Sequence, residues 1–342
     1  MKEAQLYNFL ENKQVHCFLC AHSCRIPDGD FGFCRVRQNI QGVLYTHSYG
    51  KLIAINVDPV EKKPLYHFLP GSRTFSIASA GCNFRCGFCQ NWEISQIDLA
   101  NQQLVEDFSA DKVVKSAMQN NCLAIAYTYT EPTVSFEFVL ETARLAKTSG
   151  LYNLFVTNGY LSHQAISLLS PYLDAVNIDL KFFKDSSYQK ICSARLSPVL
   201  DSIHLLKDAG VWVEITTLVI PGENDTQDEL SGIAKFIAGV NKDIPWHISS
   251  FHADYKFKHY PDTPESTMKI AYALGKSEGL HYVYAGNIYG WGQDTFCPRC
   301  KKLLIKREGL RIIQLYMSGD KCAFCQAKIA GVFGIDSYSA KG

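Results

Sequence analysis

The sequence predicts an α/β protein: a partial (β/α)6 barrel over residues 73–290. A Cys-rich segment and strap (1–72) precede it, and a C-terminal module with two CxxC knuckles (291–342) follows. Three observations carry this prediction. Apolar runs of strand length alternate with amphipathic helical stretches from residue 74 to 285, the signature of a parallel sheet with helical crossovers. Unusual polar residues recur just after these runs, on the rim where such barrels keep their chemistry. All but two of the thirteen cysteines fall into three groups, at 17–34, 82–89 and 297–325. An open doubly wound sheet is the alternative.

The elements follow in order. The run 75–79 reads as a buried strand ending at a cysteine loop, and Ser109 caps a helix whose apolar face carries Val113, Val114, Ala117 and Met118. Strand 123–129 leads to a helix that opens with Pro132 at the favoured first position and stops at Gly150. Strand 152–157 precedes a helix near 162–170, and strand 175–180 precedes helical segments reaching Ala209. Strand 211–220 precedes helix 226–240, strand 246–251 precedes helix 264–278, and 281–285 reads as a seventh strand. The proline-punctuated stretch 58–70 reads as an ordered strap that could cover a cofactor.

Composition narrows the function. Hydrophobic residues make up 47% of the 342, and 34 basic residues against 33 acidic ones leave a net charge of +1. No basic stripe argues for nucleic acid, and no apolar run approaches the roughly 18 residues of a membrane span. The first residues are too polar for a signal peptide. A soluble cytoplasmic protein is expected. Thirteen cysteines in that compartment point to metal ligation rather than disulfides. Cys122 and Cys192 stand alone and read as inert buried thiols.

Cys82, Cys86 and Cys89 lie in the run GCNFRCGFC with no fourth cysteine close behind. A 4Fe–4S cluster ordinarily takes four cysteines; three would leave one iron open. A zinc knuckle or three unrelated thiols are the plainer readings. The CxxxCxxC spacing resembles the radical S-adenosylmethionine (radical SAM) enzymes. The resemblance implies a TIM-like partial barrel, a 4Fe–4S cluster whose open iron is chelated by SAM, and reductive cleavage to a 5′-deoxyadenosyl radical that abstracts hydrogen from a substrate. It also implies an electron donor such as flavodoxin or ferredoxin.

Other residues follow from the same resemblance. Phe88 matches the aromatic position whose backbone contacts adenine. Glu131, in Tyr129-Thr-Glu-Pro132, resembles the ammonium-binding element of strand two, although two glycines do not precede it. A helix-start acid is its plainer reading. Asn158 is a ribose candidate or a turn former. Asp179-Leu-Lys181 resembles a motif of pyruvate formate-lyase-activating enzymes, whose acid helps hold a monovalent cation beside SAM; a rim salt bridge is the alternative. His252 matches a histidine near adenine, or is a rim histidine with ordinary partners. His47, His67 and His247 read as structural.

Cys297, Cys300, Cys322 and Cys325 look like the two knuckles of a zinc ribbon or rubredoxin-like module, a closed site for zinc or, alternatively, iron. Cys17, Cys20, Cys24 and Cys34 are less regular: a zinc site is favoured, and a second 4Fe–4S cluster is the alternative. End to end, the chain resembles the radical SAM component of the AmmeMemoRadiSam system. The matching stretches are 17–34, 58–71, 81–96, 129–132, 177–181 and the terminal knuckles. That resemblance implies Memo-like and AMMECR1-like partners. Activation of a glycyl-radical enzyme is one specific option; a non-catalytic iron–sulfur or zinc carrier or scaffold is the alternative of another class.

Overall fold

In the computed structural model, which describes residues 1–96 and 106–334, the alternating runs form one eight-stranded sheet whose spatial order is its chain order. Its strands are β1 (Ala54–Pro59), β2 (Arg73–Ala78), β3 (Ala124–Tyr127), β4 (Tyr152–Thr157), β5 (Ala175–Asp179), β6 (Trp212–Val219), β7 (Trp246–Ser250) and β8 (Val283–Gly286). From β2 onward every neighbouring pair is parallel. Strand β1 closes the edge antiparallel to β2, with Asp58 opposite Thr74. The expected seventh parallel strand is present as β8.

Six helices make the crossovers: α1 (Ala110–Gln119), α2 (Phe136–Thr148), α3 (His163–Leu169), α4 (Ser197–Asp208), α5 (Gln227–Val240) and α6 (Glu265–Ser277). Local chemistry sets their starts. Ser109, Ser162 and Thr226 each accept a hydrogen bond from the backbone N–H three residues on, satisfying a donor that the helix leaves free. Pro132 opens a 310 turn that runs into α2.

Strand alternation separates two environments. Ile77, Ile125, Phe155, Ile178, Ile215 and Ile248 face the helices in the main core. Ala124, Ala126, Leu154 and Ala175 face the other way, against Val60, Leu65, Phe68 and Leu69. A doubly wound sheet carries helices on both faces. Here the strap takes the second face.

The strap does not cover the rim where the cysteine loop emerges, which was one expectation for it. It packs against the strands' first residues: Phe68 meets Tyr152 edge-on at 5.5 Å, and the Asn177 amide donates to the Pro64 carbonyl at 2.8 Å. One buried carboxylate anchors it. Glu214 accepts from the Tyr66 and His67 N–H groups at 3.0 and 2.8 Å, from Trp212 Nε1 at 3.0 Å, and pairs with His247 Nε2 at 2.6 Å. His67 and His247 are thus structural, as expected. Pointing up the sheet, Lys63 donates to Asp58 at 2.6 Å, and Asp58 also accepts from the Tyr129 hydroxyl.

The C-terminal module docks on this strap. Leu69 N donates to the Val332 carbonyl at 2.7 Å and Val332 N to that of His67 at 2.8 Å, His67 Nδ1 lies 2.7 Å from the Ala330 carbonyl, and Arg307 donates to the Tyr66 carbonyl at 2.9 Å. The module's last eight residues, 335–342, lie outside the described residues. Before the sheet, the first 52 residues form small antiparallel sheets. One joins Tyr7–Phe9, Val15–Cys17 and Cys24–Ile26, and another joins Lys2–Glu3, Val43–Thr46 and Arg37–Ile40. No described helix is long and apolar enough to cross a membrane.

Glu214 makes a test of the strap. Glu214→Ala strands four donors in the core and is expected to cost about 3–5 kcal/mol, read by denaturant unfolding and by new proteolysis within 59–72. Burial alone would raise the Glu214 carboxyl, but the hydrogen bond and charge of His247 outweigh it and hold the group below its ordinary value. The stability it supplies is therefore complete above the unfolded value of about 4.3 and is lost as pH falls below it. A wild-type acid-unfolding curve steeper than that of Glu214→Gln through this range is the expected result.

Candidate functional site

The cysteine loop leaves the C-terminal end of β2 and is held by hydrogen bonds from its neighbours rather than by secondary structure. Gly81, at φ +99°, lies where a Cβ would come within 2.6 Å of Val36 and 3.3 Å of the Cys34 carbonyl, so only glycine fits the approach. Arg85 N donates to the Cys192 carbonyl at 2.9 Å, and Gly87 N to that of Ile191 at 3.3 Å. Those two acceptors belong to a π-helical turn, Tyr188–Cys192, ended by Ser193 in the left-handed region. Such turns concentrate at functional sites.

Around the three thiols the contacts are specific. Phe84 N donates to Cys82 Sγ at 3.3 Å, and Cys89 Sγ lies 3.3 Å from Ser95 Oγ. Cys86 is buried, its Sγ 3.4 Å from Cys192 Sγ. Burial pushes the Cys82 and Cys89 thiols up; for Cys86 the Cys192 contact is the largest cause and burial adds to it. Cys192 is buried as expected, but it backs this loop. Its neighbouring sequence carries no motif that would show this.

The rim residues gather around the loop to different degrees. Asn158 Nδ2 donates to Asn83 Oδ1 at 2.7 Å and lies 3.9 Å from Cys82 Sγ, while its N–H donates to Glu131 at 2.8 Å. Glu131 is buried at the start of the 310 turn and also accepts from Thr133 N at 3.0 Å and Thr157 Oγ1 at 2.8 Å. Burial raises its carboxyl pKa against the pull of these donors. Its helix-start role is realised, and its charge still reaches Cys82.

Phe88 is buried between Phe182 and Phe257, with ring centroids 6.1 and 5.9 Å away, and Lys181 Nζ lies 5.6 Å from its centroid. Asp179 Oδ2 pairs with Lys181 Nζ at 2.7 Å, so the rim salt bridge is present. Burial would lower Lys181, but the charges of Asp179, Cys86 and Cys192 raise it well above its ordinary value. His252 follows β7 as an exposed residue of the same rim and makes none of the contacts that tie the other five together.

The C-terminal cysteines converge most tightly. All four Sγ atoms lie within 4.8 Å of one another, with Cys297–Cys325 and Cys300–Cys322 each at 3.7 Å. Four thiolates about 2.3 Å from one tetrahedral ion sit about 3.8 Å apart. This group can bind a metal. Among the described residues no other set of three or more Cys, His, Asp or Glu ligand atoms is so close.

A cysteine triad on the loop after the first parallel strand, with polar strand ends around it, defines the class. The radical SAM superfamily model matches residues 76–237. Residues 76–237 thus form a radical SAM domain. It is 43% identical over 333 residues to an uncharacterised protein, MJ0808, of Methanocaldococcus jannaschii, covering 96% of this chain and 99% of that one. It is 26% identical over 170 residues to the pyruvate formate-lyase 1-activating enzyme of Escherichia coli, covering 49% of this chain and 69% of that enzyme. In fold it is similar to a radical SAM methyltransferase from Sphaerobacter thermophilus, with a TM-score of 0.50 at 14% identity over 64% of this chain and 67% of that one.

A radical SAM domain implies a 4Fe–4S cluster, SAM and a reductant. The donor set fits: soft thiols on one loop, three rather than four, at the rim of a parallel sheet.

The clenched geometry at the C-terminus gives a direct test. Cys300→Ser is expected to release one equivalent of metal and to expose the module to protease, while far-UV circular dichroism retains the helices of the central sheet. Metal analysis before and after dialysis against a chelator checks it.

Proposed function

We propose that the chain is a SAM-cleaving radical enzyme in which Cys82, Cys86 and Cys89 hold a 4Fe–4S cluster with one open iron. The single observation that carries this is the triad itself, set on its loop at the C-terminal rim of an in-order parallel sheet that we read as a partial (β/α)6 barrel. The three thiolates would hold a cluster able to donate one electron to the sulfonium of SAM, so that the 5′-carbon–sulfur bond breaks to leave methionine and a carbon radical able to take hydrogen from a substrate.

The chain's own residues then have positional tasks. Asn158 clamps Asn83 and so fixes the backbone beside Cys82. Glu131 supplies a buried negative charge for the cofactor's ammonium and orders the turn at Asn158. Phe88, packed between two phenylalanines, presents its backbone and ring to adenine. His252 is the exposed partner for the outer edge of that ring. Lys181 neutralises the loop; a monovalent cation at Asp179 would have to displace its ammonium. The C-terminal module would carry zinc as a structural ion.

Activation of a glycyl-radical enzyme is the second reading, favoured by the relation to pyruvate formate-lyase-activating enzymes. The AmmeMemoRadiSam assignment, with Memo-like and AMMECR1-like partners and a flavodoxin or ferredoxin donor, belongs to the same proposal.

Cys192 sharpens the test. Anaerobically reconstituted wild type is expected to form 5′-deoxyadenosine from SAM and dithionite, with Cys86→Ala forming none. If the cluster has three ligands, Cys192→Ala keeps its iron content and its product. A Cys192→Ala variant that loses both would mean a fourth thiolate and no open iron, and would end the proposal.

A further inference from the structure

The N-terminal cysteines differ from the C-terminal ones in a way that their spacing does not reveal. Cys17, Cys20, Cys24 and Cys34 line a single pocket together with Arg37 and Asn83. Cys17 and Cys24 face each other across an antiparallel pair, and Cys20 bridges to Leu161 at the rim. Yet no three of their Sγ atoms meet within the 4.8 Å that encloses all four at the C-terminus. A single zinc ion draws thiolates together to about 3.8 Å. A cubane has its irons at separate corners and holds the same thiolates apart. The chain supplies its own standard: the Cys82–Cys86–Cys89 triad, in a family that implies a cubane, is likewise too spread to count among the clenched groups.

Two further observations belong to this pocket. Arg37 is 1% exposed, its Nη1 lies 3.4 Å from Cys17 Sγ, and its Nε has no hydrogen-bond partner. Its charge is paired with the buried Glu137 carboxylate, so what it offers the pocket is N–H donors beside a thiol, which suit a centre that four thiolates leave negative. The pocket also adjoins the radical-forming loop through one layer of residues. Asn83, which lines it, follows Cys82; His22 Nε2 lies 2.6 Å from the Asn83 carbonyl; and Arg85 donates both to the Phe33 carbonyl and, at 2.8 Å, to that of Cys82.

We propose that Cys17, Cys20, Cys24 and Cys34 hold a second 4Fe–4S cluster, fully ligated and next to the first. With no open iron it cannot chelate SAM, so its chemistry is limited to electrons. It accepts one from a low-potential donor of the ferredoxin or flavodoxin class, which is thereby oxidised, and passes it to the neighbouring cluster. Of the two expectations for this segment, zinc and a second cluster, the spacing of the donor atoms favours the cluster.

Inorganic sulfide separates the readings, because neither zinc nor a mononuclear iron contains it. In full-length protein reconstituted anaerobically, about eight sulfides per chain are expected, against about four if only the triad is loaded. A Cys82→Ala/Cys86→Ala/Cys89→Ala variant, which leaves the N-terminal segment untouched, is expected to keep about four sulfides. Its dithionite-reduced electron paramagnetic resonance signal should not respond to SAM. Cys20→Ser/Cys24→Ser should halve the wild-type sulfide and leave the C-terminal metal in place. Four sulfides and two zincs in wild type, or none in the triad variant, would overturn the second cluster while leaving the SAM-cleaving reading intact.

Discussion

The buried Glu214 carboxylate is the constraint from which the rest of the arrangement descends. It lies in the middle of the sheet, on the face that the helices do not cover, and there it must find donors or cost several kcal/mol. The strap supplies two backbone N–H groups, and Trp212 and His247 supply the others. Fixing the strap places Lys63 beneath Tyr129, where burial holds its ammonium down to about 8 against the pull of Asp58. It also places His67, on which the C-terminal module rests. One end of the sheet is thereby filled, and the opposite end keeps the chemistry.

The cysteine loop is positioned by a different logic. Its thiols are carried by irregular backbone, and irregular backbone holds its shape only when its polar groups are satisfied. Arg85 and Gly87 are met by the π-helical turn, Asn83 by Asn158, and Gly81 is pressed by the segment around Cys34. Three separate stretches of chain therefore determine one short loop. A change in any of them alters the spacing of the thiols without touching a cysteine.

Much of this was legible in the sequence because it is periodic or local. The six crossover helices, the Ser109 cap and the seven parallel strands follow from apolar spacing and from Ser109 and Pro132; the caps at Ser162 and Thr226 emerge only in the structure. The triad and the terminal foursome follow from cysteine spacing. What the sequence hid is non-local. Strand β1 alternates weakly and gains its place only by pairing with β2. The strap looked like a cover because its prolines show order but not direction, and its location depends on Glu214, some 147 residues from His67. Cys192 looked isolated because the turn that brings it to Cys86 spans 106 residues of separation. The difference between the two cysteine foursomes is one of distance, which residue types do not encode.

The contacts of the N-terminal segment also set a timetable for the newly made chain. Cys17 to Cys34 are synthesised first, but the pocket they line is closed by residues made much later. Ala21 bonds the Tyr160 carbonyl, Ser162 bonds that of Leu19, and Thr133 and Asn83 form part of the wall. On the ribosome the four thiols therefore wait, open to oxidation, until the fourth strand and its following loop have emerged. The pocket is complete only after nearly half of the protein exists, so its closure is tied to assembly of the sheet rather than to the early synthesis of its cysteines.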